Sequence, residues 1–179
     1  MVKLYYYLIF ALFIMQYNLF GENFHMSKAK RDSVNNLLNR VERNLCNRYN
    51  MSCVGSGGAM MYEVEDLSLM FSINRPLDRN QIRRIVVDSA ELFLRSINND
   101  QSIKKFLRKY PFTIDDICLS ILMNNYDGTS MYHPDLNSVG LVKGNIRYHT
   151  IENNDSWNYK QTIVESFDEA KQILEGQER

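Results

Sequence analysis

The sequence predicts an α+β protein: a single domain with a mostly antiparallel sheet of four or five strands and helices packed on one face. Three observations carry that expectation. Leu67, Leu69, Phe71 and Ile73 alternate with Ser68, Met70 and Ser72, and Ile117, Leu119, Ile121 and Met123 alternate in the same way. A period of two puts each apolar set on one face of a strand. Two long segments, 27–49 and 78–97, repeat their apolar residues at helical spacing instead. Short apolar runs separated by turn residues fill the C-terminal third, and consecutive short strands favour antiparallel pairing.

The chain opens with the pattern of an export signal. Lys3 is the only charged residue before Glu22, and Leu4 to Met15 is unbroken apolar and aromatic sequence. That length suits a signal-peptide core and falls short of the ~20 residues that span a bilayer. Gly21 offers a small residue at the cut, although Leu19, two positions earlier, is larger than the usual residue there. No cysteine follows to take a lipid anchor. Residues 1–21 are read as a signal peptide and 22–179 as a single α+β domain. A membrane is met only through residues 1–21, where they stay uncleaved. Across all 179 residues, 21 basic and 21 acidic side chains cancel, and loss of Lys3 leaves one more acid than base. A charge so close to zero presents no general field to nucleic acid.

In residues 27–49, Val34, Leu37, Leu38, Val41, Leu45 and Tyr49 form one apolar stripe. The outer face reads as basic: Lys28, Lys30, Arg31, Arg40, Arg43 and Arg48 against Asp32 and Glu42. Such a face suits water first, and an anionic lipid or a partner second.

Next comes the stretch Cys53 to Ile73, around which the sheet is expected to form. Gly55-Ser56-Gly57-Gly58 reads as a turn needing positive φ or close backbone approach. Met60, Tyr62 and Val64 alternate in the opposite phase to Leu67–Ile73. Either a β-bulge at Glu65-Asp66 or a bend between two short strands would reconcile them, with Glu63, Glu65 and Asp66 in solvent.

A second helix starts at Asp78, whose N-cap is completed by Gln81. Ile82, Ile85, Val86, Ala90, Phe93 and Ile97 point inward; Arg79, Arg83, Asp88, Glu91 and Arg95 are expected in water. A short third helix bearing Ile103, Phe106, Leu107 and Tyr110 stops at Pro111. The second clear strand runs from Asp116 to Met123, and a polar loop occupies 124–137. A hairpin turns at Lys143-Gly144-Asn145, a last strand runs from Trp157 to Ile163, and Ser166 with Glu169 caps a final helix.

No motif assembles a catalytic centre. The glycine run lacks the Lys-Ser/Thr of a phosphate loop, and Val54 breaks the Gly-x-Ser-x-Gly of a nucleophile elbow. What remains open to Gly55, Ser56, Gly57 and Gly58 is a small-ligand or anion nest. His133-Pro134-Asp135 is the tripeptide J-domains use on their chaperone partners. There it joins two long helices, whereas here it falls in the polar loop and reads as turn chemistry. Asn125-Tyr126-Asp127-Gly128 lacks the acidic residues a calcium loop needs at Met123 and Pro134. Asp127, His133, Asp135 and His149 have no ligand spacing, so no metal or cofactor is expected. Ser56 or Cys53 with His133 or His149 would need a third group that no local signature supplies. Asp115-Asp116 at a strand start would point to opposite sides, the wrong geometry for a shared acid and base.

Export would place the three cysteines where disulfides form. Cys46 and Cys53 flank the short connection between first helix and first strand and are the candidate pair. Cys118 reads as a small buried side chain.

The run Cys53-Val-Gly-Ser-Gly-Gly-Ala-Met60, the acidic segment from Glu63 to Ile73, and Tyr110-Pro111-Phe112 with its following strand resemble small uncharacterised exported proteins of chlamydia-like bacteria. The resemblance implies export and an α+β domain, and no activity or catalytic residues. The expected function is a non-enzymatic binding or interaction domain, periplasmic or outside the cell. It would meet a protein or envelope partner through its sheet or its basic first helix. The alternative is a small-ligand receptor or hydrolase combining Gly55–Gly58 with His133, Asp135 or His149, which requires all of them around one pocket.

Overall fold

The computed structural model describes residues 26–153 and 155–177, so the signal peptide expected at 1–21 lies outside the described residues. Four helices and six strands follow. They are α1 (Lys28–Tyr49), β1 (Ser52–Gly57), β2 (Leu67–Ile73), α2 (Arg79–Asn99), α3 (Gln101–Lys104), β3 (Ile117–Met123), β4 (Ser138–Val142), β5 (Asn145–Glu152), β6 (Asp155–Ser166) and α4 (Phe167–Gln177). A 3₁₀ turn at Ile114–Asp116 precedes β3.

The strands form one sheet in chain order, β1 to β6. β2 and β3 are parallel because a helical crossover joins them; the other neighbours are antiparallel. The α+β class and the single sheet match the expectation. The strand count does not: there are six strands, not four or five. The extra strand is the glycine segment itself. Only Gly58 behaves as a turn glycine: it ends β1 with φ +156°, and an added Cβ there would lie 2.2 Å from the Asp66 carbonyl oxygen. The bulge falls at Val54 in β1, not at Glu65-Asp66. Residues 58–66 form an irregular connection in which Val64 alone pairs, with Leu107.

Alternation decides the faces. Leu67, Leu69, Phe71 and Ile73 in β2 and Ile117, Leu119, Ile121 and Met123 in β3 are all buried. They join Val34, Leu37, Val41 and Leu45 of α1 and Ile82, Val86, Phe93 and Ile97 of α2 in one cluster. Burial of these side chains, each contributing about 1.5–3 kcal/mol, fixes the register, since a one-residue slip would exchange the two faces.

The helix ends follow from local chemistry. Ser27 caps α1, and Asn50 ends it in the left-handed region at φ 52°. The Asp78–Gln81 capping box starts α2 as read from sequence. At α4, the Ser166 N–H donates to Glu169 Oε2 at 2.7 Å and the Glu169 N–H donates to Ser166 Oγ at 3.1 Å. The third helix is shorter than expected. After Lys104 the backbone turns to pair with Val64, whose N–H reaches the Phe106 carbonyl at 2.8 Å while its own carbonyl accepts from Arg108 at 3.0 Å.

Arg83, expected in water, is 2 % exposed. Its guanidinium grips Glu165 of β6 with two bonds, at 2.7 and 2.8 Å, and Tyr148 of β5 donates to the same carboxylate. This pair ties α2 to the far end of the sheet.

Candidate functional site

The face of the sheet turned away from the helices is the candidate site, and its composition follows from strand register. One row across it runs Gly55, Met70, Ser120, Gly140, Arg147, Val164; the next runs Ser52, Ser72, Leu122, Ser138, His149, Thr162. A third holds Gly57, Ser68 and Cys118. From β1 to β4 these rows contain no charged side chain. Solvent-facing strand positions elsewhere usually carry charged or long polar side chains. This floor is low and flat, built from glycine and serine with Met70, Leu122 and Cys118 half-buried among them. Sterics do not demand glycine at Gly55, Gly57 or Gly140, since an added Cβ would meet nothing closer than 3.7 Å.

A polar wall rises on β5 and β6. His149 stacks on Tyr159 with ring centroids 3.8 Å apart, and its Nδ1 lies 2.9 Å from Thr162 Oγ1. Burial, and then the nearby Arg147 guanidinium, push its pKa down from the ordinary imidazole value, which favours the neutral ring. A neutral stacked imidazole can accept or donate one hydrogen bond at the rim of the floor.

The sequence-nominated groups fall in different places. Gly55, Ser56 and Gly57 are in β1 at one edge of the sheet, and His149 is in β5, with three strands between. At one strand spacing per step that is roughly 19 Å. His133 lies in the loop before β4, its Nδ1 3.2 Å from Thr150 Oγ1, and Asp135 closes a turn there by donating its N–H to the Tyr132 carbonyl at 2.9 Å. The structure does not bring the glycines and the histidines around one pocket. Asp115-Asp116 form the 3₁₀ turn. Burial opposes its ionisation, yet the Thr113 N–H and the Lys109 ammonium hold the Asp116 carboxyl below its usual range.

Cys46 and Cys53 are both free thiols, so the candidate disulfide is not formed in this structure. Cys53 pairs with Phe71 and so faces the helices, below α1. Burial first, then the Glu42 carboxylate that accepts its hydrogen bond, push the Cys53 thiol up; burial does the same for Cys46. A thiol held protonated in this way exchanges slowly.

Three of the six basic residues on the outer face of α1 are paired within the molecule, and one of them is buried. Lys30 is 4 % exposed and donates to the Met61 and Tyr62 carbonyls at 3.0 and 2.8 Å. Arg40 bonds Asp100 at 2.8 Å, and Arg48 lies 3.8 Å from Asp88. Two recesses lined by charged residues are similarly self-satisfied. A cleft of about 600 Å³ between α1 and α2 holds the Arg40–Asp100 pair. A smaller one of about 260 Å³ holds Arg108–Glu65 and Lys109–Asp116, at 2.8 and 2.9 Å.

Among the described residues, no group of three or more His, Cys, Asp or Glu side chains is placed to hold a metal ion, and no helix is long and apolar enough to cross a membrane. No protein family, no curated protein and no solved structure matches the chain.

The serine and glycine floor is the feature that sequence reading passed over. Its signal was the identity of the intervening residues: Ser68, Met70, Ser72, Cys118 and Ser120 stand where a solvated strand face ordinarily carries lysine, glutamate or threonine.

Proposed function

We propose that this chain is an exported, non-enzymatic binding module that receives a protein partner on the open face of its sheet. The observation that supports it is the uncharged floor of glycine and serine spanning β1 to β4 beside the His149–Tyr159 wall. Low side chains cost little desolvation and little rotamer entropy when covered, and they let another backbone approach closely. Met70 and Leu122 supply apolar area in the middle, and the charged rim begins only at Arg147. Such an arrangement resembles an interface centre depleted of charge. Export rests on the apolar run Leu4–Met15 and on the resemblance to exported proteins of chlamydia-like bacteria; the periplasm or the outside of the cell is the compartment this implies.

The test is capture from envelope and host extracts, using the exported protein as bait beside a Ser120→Arg/Gly140→Arg variant. The expected result is a partner retained by the native protein and lost by the variant, with thermal unfolding of the two alike. A partner held equally by both would move the site elsewhere. Absence of any partner, together with substrate turnover by the purified protein, would reverse the assignment in favour of an enzyme.

A further inference from the structure

We infer that Cys46, Cys53 and Glu42 form a dithiol site that reduces a small disulfide: Cys53 captures one of its sulfurs, Cys46 closes onto Cys53, and Glu42 takes the proton that Cys46 gives up. The fold builds the site from one helix end and one strand. Glu42 and Cys46 are four residues apart in α1 and so share one face of it. Asn50 then reverses the chain at φ 52°, and the Met51 N–H returns to the Cys46 carbonyl at 3.1 Å. Cys53 follows in β1 and, paired with Phe71, faces back toward α1. Its backbone N–H donates toward the Cys46 sulfur, and its thiol donates to the Glu42 carboxylate. The Cys53 sulfur is three bonds from that backbone nitrogen, so rotation about its Cα–Cβ bond brings it onto the Cys46 sulfur. The β1 bulge begins directly after Cys53, an irregularity of the kind that re-aims a side chain.

The order of the steps follows from the surroundings. Cys53 is exposed and Cys46 half-buried, so Cys53 meets the disulfide first. Its thiolate attacks one sulfur of R–S–S–R, that S–S bond breaks, and the departing thiolate takes up the proton that Cys53 released. Partial burial first, and then the Glu42 carboxylate, hold Cys53 toward the protonated form, so this capture is slow. Once Cys53 is in the mixed disulfide, its hydrogen bond to Glu42 is gone. Glu42 Oε1 is buried with no hydrogen-bond partner among the described residues, whereas buried acceptors are ordinarily bonded. The carboxylate receives the Cys46 proton, the Cys46 thiolate attacks the Cys53 sulfur, and the second thiolate leaves and takes that proton. The chain loses two electrons and two protons, the disulfide gains both, and two R–SH are formed. Attack within the chain replaces a bimolecular step, so closure outruns capture.

Oxidised glutathione, added to the reduced full chain in detergent and followed by quenching and peptide mapping by mass, reads each step. The native chain should end with residues 46 and 53 joined, two hydrogens lighter at that pair, and no glutathione left on Cys53. Cys46→Ser should instead keep glutathione on Cys53. Glu42→Gln should not slow capture, but it should lengthen the life of the Cys53 adduct by about tenfold or more. A side chain that only packs there would leave that lifetime unmoved. Closure should also run about tenfold or more faster in the native chain than in the chain unfolded in urea, because the fold sets the two sulfurs together. Circular dichroism on each variant reports that the fold is kept. A native chain that holds glutathione on Cys53, or that never takes it up, overturns the inference. So does closure at one rate in the folded and unfolded chains, or an adduct lifetime indifferent to Glu42→Gln. The exchange is stoichiometric and lies on the α1 side of β1. Capture of a protein on the open face does not depend on it, so the two readings fail separately.

Discussion

Phe71 and Ser72 are neighbours in β2, yet they belong to two different surfaces. Phe71 is 0 % exposed under the helices, whereas Ser72 is half-exposed on the opposite face, in one row with Ser52, Leu122 and the buried Ser138. The same holds for Leu119 and Ser120 in β3. One face of the sheet is crowded, apolar and enclosed by α1, α2 and α4; the other, from β1 to β4, is low, without charge and free of the described helices. The lesson of the comparison is a division of labour. The covered face carries stability and leaves little freedom to its residues, while the open face carries almost none and is therefore free to be shaped for contact.

Substitutions should separate the faces by several kcal/mol. Phe71→Ala should lower unfolding free energy by about 3–5 kcal/mol through lost burial and the cavity left behind. Met70→Ala, one residue away on the half-exposed side, should cost under about 1 kcal/mol, close to surface behaviour. Chemical denaturation of the two variants measures both, and equal costs would erase the distinction.

The next largest effect concerns the ion pair that closes the covered face against β6. Arg83→Ala leaves the Glu165 carboxylate buried without its partner and should cost about 3–5 kcal/mol. Burial raises the Glu165 pKa, but the bonds from Arg83 and Tyr148 outweigh it, and the net value is below the usual carboxyl range. A carboxyl with a depressed folded pKa gives stability that is fully present above its unfolded value, about 4.3, and is lost as pH falls through the folded value. The native protein should therefore lose melting temperature more steeply than Glu165→Gln as the pH is lowered below about 4. Parallel curves would mean that the pair does not couple to folding.

The smallest effect concerns the thiols. Cys53 is exposed and Cys46 half-buried, and both are held toward the protonated form. Titration with an aromatic disulfide reagent should find three free thiols in the unfolded chain, and slow reaction of Cys53 in the native one. One thiol instead of three would restore the Cys46–Cys53 bond.

Much of the covered face was legible in the sequence, because period-two and helical repeats of apolar residues have no other cheap solution. Leu67–Ile73 and Ile117–Met123 came from such patterns, and the Asp78–Gln81 and Ser166–Glu169 capping boxes from the spacing of their polar residues. The rest escaped for identifiable reasons. A strand of serine, cysteine, valine and glycine has no apolar alternation, so β1 looked like a turn; only its pairing with β2 makes it a strand. Lys30 and Arg83 read as solvated charges, since burial of a charge depends on distant partners, the carbonyls of Met61 and Tyr62 and the carboxylate of Glu165. The third helix lost its second turn to a pairing between Val64 and residues 106–108, which no local rule encodes. The open face was visible as letters but not as a surface, because register across five pairings is what lines up its rows.

An arginine scan along β2, one substitution at each position from 67 to 73, tests the division most directly when melting temperature and partner capture are read on the same variants. The account predicts alternation: Leu67, Leu69, Phe71 and Ile73 lose the fold, while Ser68, Met70 and Ser72 keep the melting temperature and lose the partner. Even-numbered variants that unfold like the odd ones, or that stay folded and capture the partner undiminished, would contradict it.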